Sequence, residues 1–247
     1  MNLMGRGFFR TPPVVKNIIM ISVVMLLAYY AVYYMIGFDL NRHLGLYFPR
    51  SDNFMPVQIL TYMFLHGGIW HLFFNMYALY IFGQVLENVW GSKRFLTYYL
   101  VCGLGAAFIH EGVIALEYNK LVKMLSPDQL QQVINEGSSL LLSGKVYSNR
   151  YMQDLQILLN TPTVGASGAV FGILLAFGML FPNTQLMLLI PPIPIKAKWF
   201  VLLYGALELY MAISQPGSNI AHAAHLGGMF FGFLLIKYWQ KNTNTLY

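Results

Sequence analysis

A serine and a histidine stand out because each lies near the start of an apolar segment of the chain. Ser167 lies between Ala166 and Gly168 at the start of one such segment, and His225 lies near the start of the last one. A serine hydroxyl is a weak nucleophile at neutral pH, but an adjacent imidazole can accept its proton during attack on a carbonyl. Brought together, the two side chains could act as a nucleophile and its general base.

Two further polar side chains, in an earlier apolar segment, could serve the same chemistry. His71 and Asn75 are four residues apart, so they face the same side of a helix. The tetrahedral intermediate of acyl transfer needs hydrogen-bond donors for its oxyanion. The Asn75 amide, an N–H of His71 and the backbone N–H of Ser167 are donors of a suitable kind.

The sequence predicts a Ser–His dyad rather than a triad. Judged by position along their apolar segments, Glu87, Glu111 and Glu208 lie deeper than these side chains or near the opposite end. A carboxylate placed there would not reach the imidazole. We therefore expect His225 to have no acidic partner.

The composition indicates an all-α polytopic membrane protein. The 247 residues are 57% hydrophobic and only 10% charged, with a mean hydropathy of +0.55, whereas soluble domains average about 25% charged residues. Six segments are long and apolar enough to be spans. They cover roughly residues 14–36, 69–87, 95–116, 164–181, 198–214 and 220–238. The first is too long for the apolar region of a signal peptide, so we expect it to be retained.

The distribution of basic residues predicts that both termini are cytoplasmic. With that orientation, nine lysines and arginines face the cytoplasm and six face the other side, as the positive-inside rule requires. The second, fourth and sixth segments then all begin at the outer side. Ser167, His225, His71 and Asn75 would lie at a similar depth, roughly 5–10 Å below the surface at 1.5 Å per residue.

Small residues at intervals of four are expected to bring two of these helices into close contact. Such rows let the backbones of membrane helices approach each other. The fourth segment carries Gly168, Gly172 and Ala176, and the sixth carries Ala224, Gly228 and Gly232. Packing of these two faces would bring the serine and the histidine within reach of each other.

The longest polar stretch, residues 117–163, is predicted to be an extracytoplasmic insertion. Ser126 followed by Pro127 is typical of a helix start, so we expect short amphipathic helices packed over the membrane domain. Its length and its position just before Ser167 suggest a cap that restricts substrate entry.

Three motifs in this chain resemble those of the rhomboid family of intramembrane serine proteases. Residues 165–168, Gly-Ala-Ser-Gly, resemble the family's GxSG motif, and residues 224–232 are similar to its AHxxGxxxG helix. Residues 66–75 resemble its HxxxxHxxxN segment. The motifs occur in the family's order, and the resemblance covers about residues 14–116 and 164–238.

The resemblance implies a single six-helix membrane domain, residues 1–247, with serine endopeptidase activity. It implies that Ser167 is the nucleophile, that His225 is the general base and that His71 and Asn75 support the oxyanion. Phe171 would pack against the His225 ring. The residues expected to support the site are Gly165, Gly168, Phe171, His66 and Gly228.

Substrates would be single-span membrane proteins, cleaved near the outer face of their helix after a small residue. The resemblance implies neither a metal nor an organic cofactor. The chain has a formal net charge of +6, and we expect its basic residues to contact the lipid bilayer and not nucleic acid. We expect the bacterial cytoplasmic membrane, with the site toward the non-cytoplasmic side. The sequence leaves the substrate and the oligomeric state open. The first loop, residues 37–68, joins the first two predicted spans. It departs from the family, which often has a Trp-Arg pair where this chain has Val57-Gln58.

Two other classes of protein stay open. A rhomboid-like protein without catalysis could bind or chaperone membrane clients, although such proteins usually lack the serine or the histidine. A metal transporter or metalloenzyme could use four histidines as ligands, although no carboxylate is expected beside them. These are His66, His71, His222 and His225. His222 could instead hydrogen-bond the dyad or meet water at the surface, and we favour water.

Overall fold

The computed structural model describes residues 11–187, 192–214 and 219–242, and most of this part of the chain is helical. The helices are α1 (Pro13–Ile36), α2 (Leu40–Leu44), α3 (Gln58–Thr61), α4 (Ile69–Ala78), α5 (Gln84–Trp90), α6 (Ser92–Lys123), α7 (Pro127–Leu142), α8 (Arg150–Asn160), α9 (Ser167–Leu180), α10 (Ala197–Ser214) and α11 (Asn219–Asn242). A π-helical turn, Leu79–Gly83, joins α4 and α5 into one helix. Two short strands between α9 and α10, β1 (Gln185–Met187) and β2 (Pro194–Lys196), pair antiparallel.

A helix lies at each of the six positions predicted to span the membrane. Among the described residues, α1, the continuous α4–α5 helix, α6 and α10 are long and apolar enough to cross a bilayer. With 14 residues, α9 is roughly 21 Å long at 1.5 Å per residue, and α11 carries two histidines among its apolar residues. The all-α membrane class is confirmed, whereas the six-span count and the orientation stay predictions. Arg6 and Arg10, which support that orientation, lie outside the described residues.

The central helix of the bundle is α9, and its neighbours include α4, α6, α10 and α11. Eleven of its 14 residues are buried. Its residues are apolar all round, and such a helix is stable in the centre of a bundle, where protein surrounds it. Ser167, the first residue of α9, therefore lies at one end of the central helix of the bundle.

The rows of small residues meet where α9 packs on α11. A Cβ added to Gly228 would collide with the carbonyl oxygen of Gly168. A Cβ added to Gly172 would collide with the Cys102 side chain of α6 and would lie 3.1 Å from the Gly228 oxygen. The predicted close approach of these two helices is confirmed, and it is a contact of backbone on backbone.

Glu87 of α5 caps the start of α1. Its carboxylate oxygens accept hydrogen bonds from the backbone N–H groups of Val14 and Val15, at 3.0 and 2.8 Å, and from the Ser92 hydroxyl at 2.6 Å. The residue that precedes α1 in the sequence, Pro12, makes no side-chain cap. A negative charge is favourable beside the N–H groups at a helix start. Both carboxylate oxygens therefore accept hydrogen bonds, and those from Val14 and Val15 hold the start of α1 to the bundle.

Gln58 anchors the first loop at the position where the chain departs from the Trp-Arg pattern. The side chain is fully buried. Its amide nitrogen donates to the carbonyls of His43 and Asn53, at 3.1 and 2.9 Å, and its oxygen accepts from the N–H groups of Tyr47 and Met55, at 3.4 and 3.0 Å. One neutral amide thus ties four backbone groups of the loop together.

The segment 117–163 is largely helical. The helix α6 continues to Lys123, and α7 and α8 follow it, with α8 packed against both α7 and α6. As predicted, Ser126 caps α7: its hydroxyl accepts from the Gln129 N–H at 3.2 Å, and the Gln129 side chain accepts from the Ser126 N–H at 3.0 Å. The expected amphipathic helices are present, and their role as a cap stays a prediction.

A hydrophobic cluster separate from the main core of the bundle holds α7 and α8 to the end of α6. Its buried members come from the first loop, α6, α7 and α8. They are Phe48, Ile114, Tyr118, Leu121, Val133, Met152, Leu155, Leu158 and Leu159. The helical pair is therefore a packed extension of the bundle.

Gly228→Ala is expected to lower the free energy of unfolding by about 1–3 kcal/mol or more, because the new methyl group has no room beside the Gly168 backbone. The measurement is denaturant or thermal unfolding of the purified protein in detergent. Gly112→Ala in α6 is the matched control, since a Cβ there meets nothing within 4 Å. The control should gain about 0.4–1 kcal/mol. Equal stability of the two variants would contradict the close contact.

Candidate active site

The serine and histidine singled out in the sequence face each other in the structure. The Ser167 Oγ lies 2.9 Å from the His225 Nε2, which is hydrogen-bonding distance. The serine is partly exposed, and 18% of the histidine side chain is exposed. The two side chains are therefore in contact at a place that a ligand can approach.

Backbone hydrogen bonds fix the segment that leads into α9. Thr163 pairs with Leu46 of the first loop through two bonds of 2.8 and 2.9 Å, and the Gly165 N–H donates to the Tyr62 carbonyl at 2.9 Å. The His110 Nε2 of α6 lies 2.7 Å from the Thr163 hydroxyl. The first loop and α6 thus hold the serine in position from outside its own helix.

Gly165 is required by both its backbone conformation and its neighbour. Its φ is +137°, which side chains rarely allow. A Cβ at this position would also lie 2.9 Å from the Cε1 and Nε2 of His71. The missing side chain leaves room for the His71 ring beside the backbone that precedes Ser167.

The hydrogen bonds of His71 determine which nitrogen carries the proton. The Gly67 N–H donates to Nδ1 at 3.3 Å, so in the neutral ring the proton is on Nε2. That nitrogen is the one beside Gly165. One turn later, the buried Asn75 donates one amide proton to the His71 carbonyl at 3.0 Å and keeps a second one. Both side chains can therefore donate a hydrogen bond.

His66 braces this end of the first loop. It is 1% exposed, its carbonyl accepts from the Asn41 side chain at 3.2 Å, and its ring lies edge-on to His71 with 5.1 Å between centroids. Burial, and secondarily the neighbouring His71, lowers the pKa of His66 to about 4. The ring is therefore neutral at pH 7.

Phe171 stacks on the His225 ring, as the resemblance implies. The ring centroids are 4.2 Å apart and the planes differ by 7°. Tyr204 of α10 stacks on Phe171 in turn, at 5.2 Å and 8°. The plane of the imidazole is thus set by an aromatic stack that extends from α9 to α10.

The expectation that no acidic side chain reaches the pair is wrong. The Glu208 Oε2 lies 3.0 Å from the His225 Nδ1, and Glu208 is 6% exposed. The error came from ignoring the direction of α10. Glu208 lies six residues before the end of α10 at Ser214, and His225 lies six residues after the start of α11 at Asn219. Two positions equally far from a short connection lie at the same height, and this symmetry could have predicted the contact.

The favoured prediction for His222 is also wrong. Its Nδ1 lies 2.6 Å from the same Glu208 Oε2, and the residue is 9% exposed. Because α11 is helical from Asn219, the three-residue spacing puts His222 and His225 on nearly the same face. One carboxylate oxygen therefore contacts two imidazoles, instead of one imidazole facing water.

The four-histidine metal site that the sequence left open differs from the cluster found among the described residues. Within the described part of the chain, the group that could hold a metal ion is Glu208, His222 and His225, with ligand atoms within 4.8 Å of one another. It includes a carboxylate and leaves out His66 and His71. Two histidines and a glutamate are a known zinc donor set, but the contacts of 2.6 and 3.0 Å are already hydrogen bonds.

Comparison with known proteins shows which family the chain resembles. A family model described as the Rhomboid domain matches residues 53–241. "Rhomboid protein 1, mitochondrial" of Saccharomyces cerevisiae is 25% identical over 185 residues, which cover 75% of this chain and 42% of that protein. The human "Presenilin-associated rhomboid-like protein, mitochondrial" is 26% identical over 212 residues, covering 82% and 44%. "RHOMBOID-like protein 12, mitochondrial" of Arabidopsis thaliana is 28% identical over 181 residues, covering 72% and 45%.

The chain spans less than half the length of these three relatives. Their names place them in mitochondria, so they give no support to the predicted bacterial cytoplasmic membrane. The match to the family model takes in most of the chain and contains all three motifs together with the Ser167–His225 contact. This integral membrane protein therefore belongs to the rhomboid family.

Proposed function

We propose that this protein is an intramembrane serine endopeptidase that cleaves the transmembrane segments of other membrane proteins. The observation that carries the proposal is the hydrogen bond between the Ser167 Oγ and the His225 Nε2, 2.9 Å long, in a partly exposed site. Family membership agrees with it, because the rhomboid resemblance implies this activity.

In the proposed reaction, His225 first accepts a proton from the serine and then donates it to the leaving group. Ser167 attacks the scissile carbonyl carbon while its proton passes to the His225 Nε2. The tetrahedral intermediate collapses, the leaving amine takes the proton from His225, and an acyl-enzyme ester remains. Water, activated by the same imidazole, then hydrolyses the ester and regenerates the serine.

The oxyanion of the intermediate would lie against donors that the site already orients. The Nε2–H of His71 lies beside Gly165, two residues before the nucleophile. The second amide proton of Asn75 and the Ser167 N–H at the start of α9 are further donors. Preorganised donors in a site of low polarity stabilise developing negative charge strongly.

The substrate class follows from where the site lies. Ser167 begins the central helix of an apolar bundle, so a substrate must present its peptide bond at membrane depth. A single-span helix that partly unwinds near the membrane surface would do so. We place the site toward the non-cytoplasmic side, and the identity of the membrane stays a prediction.

Wild-type protein in liposomes is expected to cleave a model single-span substrate, and Ser167→Ala and His225→Ala are each expected to abolish cleavage. Loss of the nucleophile or of its base removes the covalent step, which lowers turnover by several orders of magnitude, roughly 10⁴-fold or more. Product appearance is followed by gel and by mass spectrometry.

Labelling by a fluorophosphonate provides an independent measurement. The probe should label the wild type and leave Ser167→Ala unlabelled. Ser139→Ala on the exposed side of α7 is the control and should retain both labelling and cleavage. A folded wild-type protein that binds the substrate without cleaving it would instead indicate a client-binding protein.

Phe171→Leu is expected to lower kcat by roughly 2- to 10-fold, because stacking of aromatic rings is worth about 0.5–1.5 kcal/mol and the imidazole would lose its fixed plane. Phe171→Tyr keeps the stack and should retain the wild-type kcat. Both variants are compared by initial rates at saturating substrate. An unchanged kcat in Phe171→Leu would mean that the stack does not orient the base.

A further inference from the structure

One carboxylate oxygen of Glu208 contacts two imidazole rings from a neighbouring helix. The Oε2 lies 3.0 Å from the His225 Nδ1 and 2.6 Å from the His222 Nδ1, and the two rings are nearly perpendicular, at 84°. Glu208 and His222 are both buried, and His225 is less enclosed. The buried part of the cluster thus lies behind the base, away from the face that meets Ser167.

These contacts determine where the protons are. A carboxylate oxygen accepts hydrogen bonds, so both Nδ1 atoms donate to it. In neutral His225 the Nε2 is then unprotonated, and it accepts the hydrogen bond of the Ser167 hydroxyl. This is the tautomer that a general base needs, because only an unprotonated Nε2 can take the serine proton.

We propose that Glu208 is the positioning residue of the catalytic pair and that His222 holds its carboxylate in place, which makes the site an extended triad. The proposal rests on the proposed protease function and deepens it. When His225 takes the serine proton it becomes an imidazolium, and the carboxylate at its Nδ1 stabilises that charge.

His222 solves a problem that the membrane creates for this carboxylate. A buried carboxylate is costly unless it is paired and hydrogen-bonded. With His225 alone, Oε2 would have one donor on a ring that must also serve the serine. The shorter contact to His222 supplies a second donor whose ring takes no part in proton transfer. It keeps the oxygen in register with His225 throughout the reaction.

The aromatic stack supports the same arrangement from α10. Tyr204 lies one helical turn before Glu208 and stacks on Phe171, which in turn stacks on His225. The helix α10 therefore acts on the His225 ring in two ways, by stacking through Phe171 and by the hydrogen bond to Glu208. The stack sets the plane of the ring, and the carboxylate sets its rotation within that plane and its tautomer.

Glu208→Gln is the decisive variant, because the amide keeps the shape but can present an N–H to the Nδ1 of His225. The Nε2 would then carry the proton and could not accept the serine proton. We expect kcat to fall by roughly 10²–10⁴-fold, as occurs when the acid of a serine-protease triad becomes an amide, with little change in KM. Glu208→Asp should recover part of the loss.

Glu111→Gln is the matched control. It removes another buried carboxylate from a membrane helix, one whose oxygens have no hydrogen-bond partner among the described residues, and it should leave kcat unchanged. His222→Phe should lower kcat by roughly 10- to 150-fold, the worth of one hydrogen bond to a charged group. Thermal unfolding of each variant separates an effect on the base from a loss of fold.

A second measurement uses the wild type and does not depend on any variant being active. The ¹⁵N spectrum of histidine-labelled protein reports which ring nitrogen carries the proton. We expect His225 protonated at Nδ1 and unprotonated at Nε2, with His225→Gln used only to assign its signals. The opposite tautomer would overturn the proposal even if Glu208→Gln failed to fold.

The outcomes distinguish this proposal from the function on which it rests. If the wild type neither cleaves nor labels, the protease function fails. If the wild type cleaves and kcat of folded Glu208→Gln falls by less than about 10²-fold, the positioning role fails while the protease function stands. If chelation by EDTA abolishes cleavage and Zn²⁺ restores it, the cluster is a metal site and the positioning role is overturned.

Discussion

The contact of backbone on backbone between α9 and α11 is the constraint on which the site depends. Gly168 and Gly228 meet without side chains between them. Ser167 is adjacent to one of these glycines, and His225 lies three residues before the other. The contact that closes the two helices therefore also sets the distance from Oγ to Nε2. Glycine lowers the helical propensity of both segments, and the close packing of an apolar bundle compensates for it.

The polar atoms of the site form a continuous series of hydrogen bonds across three helices. It runs from Glu208 on α10 through His225 on α11 to Ser167 on α9, with His222 as a second donor to the carboxylate. In an apolar environment an unsatisfied polar group is expensive. Each group in the series therefore constrains its neighbour, so the chemistry and the rigidity of the site have the same origin.

The helices and the central pair could be predicted from the sequence, because length, hydropathy and spacing within a helix determine which side chains share a face and a depth. The contact of Glu208 with His225 could not be predicted from the position of Glu208 within its apolar segment alone. Its depth relative to His225 depends on the direction of α10 and on the short connection to α11. The helix α6 itself continues past the predicted span, to Lys123. Glu117, Lys120 and Lys123 mark the end of the apolar stretch, but charged residues of this kind continue a helix readily.

The first loop is held by a neutral amide where the family often has a charged arginine. Gln58 carries no net charge for dissolved ions to screen and no proton to lose. Its four hydrogen bonds are therefore insensitive to ionic strength and to acidity over the range in which histidines titrate. The loop that it anchors includes Leu46, which pairs with Thr163 just before the nucleophile. The part of the support of Ser167 that Gln58 provides should consequently vary little with salt content.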